Sequence, residues 1–305
     1  MIELNKYSTP NLMHSMALHH HYFQQPEQLA AFLDFTPKVF EGVHFDDWFH
    51  RKGWQPNYQA YSFFEGGRVV SNVSVTELDL VMDGQAVRAL QFATVATLPE
   101  YRNQGLAAKL MHHVLDEFED KVDLFYLFAN DTVLNFYPKF GFKRFRERLF
   151  FADYPEVQFT PGMQKLEVYR EQDWQILERL SQKRIPLTHT FGSTNDGLLL
   201  LWHALYSVPH CLWYVAEKDA LIIGEVLGKT LQVYDVVQTK AGSFNELIPY
   251  LGLKDMEAIC FWFTPDQIDI KTNMGKHDVK ESPLFVRGNF SLPSRTFKYP
   301  SLGHS

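Results

Sequence analysis

Two hydrophobic periods alternate along the chain. Residues 13–23 and 26–35 carry apolar side chains at helical spacing, and residues 45–49 open a further short helical segment. Residues 58–64, 68–77 and 86–95 are rich in β-branched and aromatic residues and predict three consecutive strands. Glu65-Gly66-Gly67 and Met82-Asp83-Gly84-Gln85 divide them and supply hairpin turns. Helical spacing returns over 106–119 and predicts a crossover to a buried strand at 124–129, parallel to its predecessor.

The corner between these patterns is the most informative stretch. Residues 95–107 read Val-Ala-Thr-Leu-Pro-Glu-Tyr-Arg-Asn-Gln-Gly-Leu-Ala, a strand stopped at Leu98-Pro99 and followed by a helix that begins near Gly105 and Ala107. The first N–H groups of a helix lack internal partners and sit at the positive end of its dipole, so they hold a phosphate. Small residues let that backbone come close, and Arg102 adds a mobile positive charge at the rim.

Arg102-x-x-Gly105-x-Ala107 after a strand resembles the cofactor-binding motif of the GNAT superfamily of N-acetyltransferases. A second stretch, Asn130, then Tyr137 seven residues on, then Lys139-x-Gly141-Phe142, resembles that family's later motif and stands in the right order. The resemblance covers about residues 55–150. It implies an α+β fold with a mixed sheet, the GNAT acyltransferase fold, and acetyl-coenzyme A (acetyl-CoA) as cofactor. The pyrophosphate would lie on Arg102, Asn103, Gln104, Gly105, Leu106 and Ala107, and the main chain of Val95 and Ala96 would place the thioester carbonyl. Asn130 and Asn135 would hold the pantetheine arm, although each is equally a residue that caps a helix. Tyr137 would give a proton to the departing thiolate, since a phenol stays protonated near neutrality; its alternative is packing beside Phe136, Phe140 and Phe142.

The base that relieves the amine of its proton is less defined. Strand 90–95 has no acid, and Glu77 ranks ahead of Asp79 on the neighbouring strand. An amine deprotonated beforehand, a water chain, or a terminal carboxylate at Ser305, as in some related multi-domain acetyltransferases, stand as alternatives. Asp46 and Asp47 lie where GNAT proteins build the acceptor-pocket floor and would attract an ammonium group, or else cap a helix that starts at Trp48. His19-His20-His21 is not read as a metal site, because consecutive imidazoles on a helix diverge and no second ligand pair stands at useful spacing.

Residues 152–162 carry two prolines and a glycine and place a domain boundary near Thr160. Beyond it a similar order returns: a helix over 173–184, strands over 212–217, 220–227 and 230–238, a helix over 244–251 and a strand over 258–264. The cofactor motif is missing there, since Thr239-Lys240-Ala241-Gly242-Ser243 follows the third strand. The expectation is a tandem arrangement: residues 1–157 a cofactor-binding, catalytic GNAT domain, and residues 162–305 a degenerate GNAT-like domain forming one wall of the acceptor cleft. An unrelated α+β domain is the alternative.

A chain of 305 residues suits two such domains. Its 46% hydrophobic and 21% charged residues argue against disorder, and no apolar run approaches the ~20 residues a bilayer span requires. Residues 1–6 lack an export pattern, so a cytoplasmic protein is expected. Cys211 and Cys260 sit in aromatic runs and read as buried free thiols. The formal charge of −7 offers nucleic acid and acidic membranes no overall attraction and mildly favours a small cationic acceptor. A small-molecule amine acceptor and a possible homo-oligomer complete the expectation. Competing functions are an acetyl-CoA sensor without turnover and a protein-lysine or N-terminal acetyltransferase.

Overall fold

Between Glu65 and Arg68, and again between Met82 and Gln85, the backbone reverses through two residues with positive φ: Gly66 (57°) with Gly67 (79°), and Asp83 (49°) with Gly84 (76°). Such turns match the right-handed twist of the strands they join. They connect β2 (Tyr58–Glu65), β3 (Arg68–Met82) and β4 (Gln85–Thr97) as neighbours in one sheet. The computed structural model describes residues 16–40, 44–52, 55–279, 282–291 and 296–305, so the export-pattern reading of residues 1–6 lies outside it. Those residues gather into two compact units. The first takes the described part of residues 1–54 with Gln59–Ser74 and Thr94–Val114; the second takes Gln55–Tyr58, Val75–Ala93 and Leu115–Ser305.

In the first unit, β1 (Ala17–His20) precedes α1 (Pro26–Val39) and α2 (Asp46–Lys52). The helix expected over 13–23 is therefore a strand where it is described. It pairs antiparallel with β2, from Ala17 opposite Phe64 to His20 opposite Tyr61. The imidazoles decide this locally: His19 packs on Phe64 and His20 stacks on Tyr61, contacts that a strand edge offers. Trp48 is buried within α2, which begins at Asp46, inside the expected opening at 45–49, and so holds both aspartates in its first turn. Phe32, Phe45 and Phe64 join Tyr22 in an aromatic core. A buried polar chain runs through it. Tyr22 and Ser62 hydroxyls lie 2.7 Å apart, Ser62 donates to Asn72 Oδ1 at 2.7 Å, and Asn72 Nδ2 donates to the carbonyl of Thr94 at 2.8 Å. Thr94 stands at φ 47°, so that carbonyl holds a kink in β4.

The second unit contains β5 (Leu124–Phe128), β6 (Lys143–Arg144), β7 (Arg148–Asp153) and β8 (Met163–Lys165), then α4 (Glu171–Lys183), β9 (Phe191–Ser193) and α5 (Gly197–Tyr206). Three strands follow, β10 (Leu212–Val215), β11 (Ala220–Leu227) and β12 (Thr230–Gln238), with α6 (Ile248–Leu251), β13 (Ala258–Phe261), β14 (Asn273–Asp278) and β15 (Leu284–Gly288) after them. In the first sheet β4 pairs parallel with β5 from Ala89–Leu124 to Gln91–Tyr126, and β15 is antiparallel to β5 on its other side. The second sheet runs β14-β7-β13-β12-β11-β10-β8 and likewise holds one parallel pair, β12 with β13.

Each sheet borrows a strand from across the expected boundary. β7 precedes Thr160 yet pairs with β13 in the second sheet, and β15 follows it yet inserts between β5 and β6 in the first. α5 was not foreseen. Gly-Leu-Leu-Leu-Leu-Trp-His-Ala-Leu-Tyr is apolar all round, so it has no polar face for a period to reveal, and Leu200, Leu201, Ala204 and Leu205 are buried. Cys260 is buried and its thiol is pushed up to about 12, while Cys211 is half-buried; neither forms a disulfide.

Candidate active site

Proline at 99 begins a single 3₁₀ turn, Pro99–Tyr101, which separates β4 from α3 (Leu106–Phe118). Asn103 (φ 63°) and Gly105 (φ 74°) both take left-handed backbone, and this double reversal aims the opening N–H groups of α3 outward. No heavy atom lies within 4 Å of the point a Cβ on Gly105 would occupy. Glycine is there for its φ, and the surface over it is open to a ligand. Arg102 is exposed, its Nε donating to the Thr97 carbonyl at 3.3 Å, and Gln104 reaches back to the carbonyl of Glu100 at 3.5 Å. Leu106 is buried and anchors the first turn, and Ala107 keeps the approach narrow in side-chain bulk. A pyrophosphate group fits this donor set.

On the strand side of the corner, Ser71 Oγ bonds the Ala96 carbonyl at 3.2 Å and Leu98 N–H bonds the Val70 carbonyl at 3.0 Å. Val95 and Ala96 follow directly on the kink at Thr94. Asp46 and Asp47 are exposed and occupy the first turn of α2, where carboxylates complement the helix dipole.

In the second unit the parallel ladder of β4 and β5 has its last pair at Gln91 and Tyr126. Tyr137, in a short 3₁₀ turn Tyr137–Phe140, is 6% exposed and packs against Phe142 and Phe285, while Phe142 packs against Phe92 of β4. Burial pushes its phenol up to about 12, so the hydroxyl keeps its proton throughout the neutral range. Tyr137 is thus packed as one of the aromatic residues of this region, with its hydroxyl protonated. Asn130 caps a 3₁₀ turn, Oδ1 accepting from Thr132 N–H and Thr132 Oγ1, each at 2.9 Å. Asn135 is exposed between the two turns that stand where one short helix was expected. Glu77 is exposed on β3, its N–H bonded to the Asn57 carbonyl.

Sequence reasoning passed over Gln91, and of the segment 296–305 it named only Ser305, as an alternative base through its carboxylate. Gln91 is fully buried at the last rung of the ladder; Nε2 donates to Tyr126 Oη at 2.6 Å and to the Gly303 carbonyl at 2.9 Å, and Oε1 accepts from Ser305 N–H. Tyr126 and Tyr299 hydroxyls lie 2.9 Å apart. The only sequence signal was a glutamine at the centre of an otherwise apolar strand. Behind this lies a buried ionic cluster. Arg184 makes a bidentate pair with Asp235 at 2.9 and 3.0 Å and sits 3.7 Å from Asp196. Among the described residues no group of three candidate ligands is arranged to hold a metal ion, and no helix is long and apolar enough to cross a membrane.

Residues 19–145 match the family model described as an acetyltransferase (GNAT) domain. No curated protein sequence matches the chain. Solved structures share its fold. A conserved protein from Enterococcus faecalis V583, described as a probable N-acyltransferase, is 16% identical with a TM-score of 0.58 over 90% of this chain and 72% of its own. Eis1 from Mycobacterium abscessus is 13% identical with a TM-score of 0.58, over 90% of this chain and 73% of its own. A GCN5-related N-acetyltransferase from Anabaena variabilis ATCC 29413 is 16% identical with a TM-score of 0.56, over 89% and 72%. The match covers 127 consecutive positions (19 to 145), and the left-handed turn after β4 and the parallel pair of β4 with β5 lie within them: residues 19–145 of this chain match a GNAT acetyltransferase domain.

Proposed function

We propose that the chain transfers an acetyl group from acetyl-CoA directly to an amine. The observation that carries this reading is the left-handed turn at Asn103 and Gly105, which opens the first N–H groups of α3 to a pyrophosphate. Arg102 to Ala107 bind that group, with Val95 and Ala96 offering main-chain donors to the thioester carbonyl. The cofactor supplies the activated acetyl carbon. Tyr137 holds a proton for the departing sulfur, and Asn135 contributes to the pantetheine path. Asn130 shapes that path through its cap.

Transfer in a ternary complex needs no protein nucleophile. Both cysteines are held as thiols by burial, which suits this direct route. Asp46 and Asp47 would draw a cationic acceptor. The 162–305 part is read as a degenerate GNAT-like half that takes no cofactor. Support for this comes from segment 298–301: Thr264 N–H bonds the Lys298 carbonyl at 2.9 Å, and Ser301 N–H bonds the Trp262 carbonyl at 3.1 Å. The chain's own backbone therefore pairs with residues 262–264, directly after β13.

The test is release of free thiol from acetyl-CoA by the full chain with phenethylamine, spermidine and a lysine-bearing peptide. Amine-dependent thiol release with matching acetyl-amide formation supports the enzyme. Tight binding of acetyl-CoA without turnover on any of them favours a sensor instead, and preference for the peptide favours a protein acetyltransferase.

A further inference from the structure

The polar chain buried in the first unit ends on the backbone of β4, and the rules of hydrogen bonding fix the direction of its links. The Asn72 atom that meets the Thr94 carbonyl at 2.8 Å has to be a donor, because a carbonyl oxygen only accepts. That sets the carboxamide with Nδ2 toward Thr94 and Oδ1 toward Ser62. Ser62 therefore gives its one hydrogen to Asn72 Oδ1 at 2.7 Å, and the Tyr22 hydroxyl, 2.7 Å from Ser62 Oγ, gives its own to Ser62. The second Nδ2 hydrogen goes to Ser74 Oγ at 2.9 Å. Ser62, Asn72 and Ser74 are fully buried and Tyr22 is 1% exposed. A buried network with one sense of donation holds one arrangement.

What it holds is strained backbone. Thr94 is β-branched and stands at φ 47°, a conformation that persists only where the surroundings fix it. Its carbonyl shares a planar trans peptide with the N–H of Val95, and across such a peptide C=O and N–H point in opposite directions. Drawing the Thr94 carbonyl to Asn72 therefore turns the Val95 N–H away from the buried chain. Ser71, the residue before Asn72, holds the Ala96 carbonyl at 3.2 Å. The peptides on both sides of the Val95–Ala96 link are thus held by side chains of β3. Val95 and Ala96 are themselves only half-buried, and they lie in the same unit as the turn at Asn103 and Gly105.

We propose that Asn72 is a positioning residue for acetyl transfer: by holding the Thr94 carbonyl it aims the Val95 N–H at the thioester carbonyl oxygen. This rests on the acetyltransferase reading above. The amine nitrogen adds to the acetyl carbon, the carbonyl pair rests on oxygen against the Val95 N–H, and it returns as the carbon–sulfur bond breaks. The proton lost by nitrogen and the one gained by sulfur balance, and none passes through Asn72. An N–H fixed beforehand needs no reorganisation as charge builds on oxygen, so its bond strengthens in the transition state more than in the bound cofactor. Loss of Asn72 therefore falls on kcat and spares cofactor binding, which the turn at 102–107 provides.

The test pairs steady-state rates with the infrared carbonyl band of bound acetyl-CoA, isotope-labelled at the acetyl carbonyl, in the unaltered full chain, Asn72→Leu and Ser62→Ala. In the unaltered chain the band should lie below its position in free acetyl-CoA. In Asn72→Leu it should return to the free position and kcat should fall about a hundredfold, the lower end of what one lost oxyanion donor costs, with acetyl-CoA affinity changed less than about threefold. Ser62→Ala keeps the Asn72 donor but loosens its amide; band and rate should move the same way, kcat by about tenfold, and this variant carries the test if Asn72→Leu does not fold. A merely structural Asn72 would lower stability and leave the band in place. An unmoved band or an unaltered kcat in folded Asn72→Leu, or in Ser62→Ala where only that variant folds, overturns the assignment and leaves the acetyltransferase reading intact. An unaltered chain that binds acetyl-CoA and acetylates none of the three amines overturns the parent reading and this role with it.

Discussion

Single residues carry two kinds of consequence here, chemical and structural. Tyr137 is buried among Phe142 and Phe285 with its phenol raised to about 12, so its hydroxyl keeps its proton through the neutral range and suits the proposed role. Tyr137→Phe keeps the ring and loses the proton; kcat should drop about a hundredfold with acetyl-CoA affinity within about twofold, measured by steady-state rates and calorimetry. Turnover unchanged by that substitution removes Tyr137 from the chemistry. Asp235 shows the structural kind. Its side chain and that of Arg184 are 1% and 5% exposed, and removing the carboxylate breaks their bidentate pair and leaves the buried guanidinium with only Asp196, 3.7 Å away. Asp235→Ala should therefore cost about 3–5 kcal/mol in urea unfolding. The turn at Gly105 was legible in sequence because a tight turn into a helix has few chemical solutions. Gln91 was not, because its partners Gly303 and Ser305 lie more than two hundred positions away.

At the scale of elements, strands with strong alternation and glycine turns were legible, and the two departures have physical reasons. The segment at 17–20 is too short to establish a period, and contacts from Phe64 and Tyr61 fix it as an edge strand. α5 has no polar face, so its sequence carries no amphipathic signal. Two imidazoles, His304 within the segment 296–305 and His203 bonded to its backbone, give the segment a pH dependence. His203 and His304 are both lowered by burial. The unfolded chain therefore takes up their protons first as pH falls. The stability these residues contribute is complete above the ordinary ~6.5 and is lost progressively as pH drops from there toward the folded-state values. Amide exchange in 296–305 should accelerate between about pH 6.5 and 5, ahead of the β11–β12 hairpin. Equal acceleration in both, or none in the segment, contradicts that account.

Across the whole chain, the repeat of element order seen in sequence has its counterpart in two sheets that each contain one parallel pair, β4–β5 and β12–β13. What sequence cannot show is the exchange of strands. Nothing in the composition of β7 or β15 says which sheet will receive it, because strand pairing across long separations is decided by packing of both faces rather than by local pattern. The family resemblance read from Arg102–Ala107 and Asn130–Phe142 falls within the matched segment 19–145, and the likeness to known folds extends over about nine-tenths of the chain. The proposed division of labour rests on one contrast: a left-handed glycine turn stands between β4 and α3, whereas no glycine with positive φ stands between β12 and the 3₁₀ turn after it.

The most direct measurement is a calorimetric titration of acetyl-CoA into the full chain and into a folded Gly105→Val variant. The account predicts one equivalent bound per chain, and affinity at least tenfold weaker in the variant, whose β-branched side chain opposes the left-handed φ on which the phosphate turn depends. Binding of two equivalents, or equal affinity in both proteins, contradicts it.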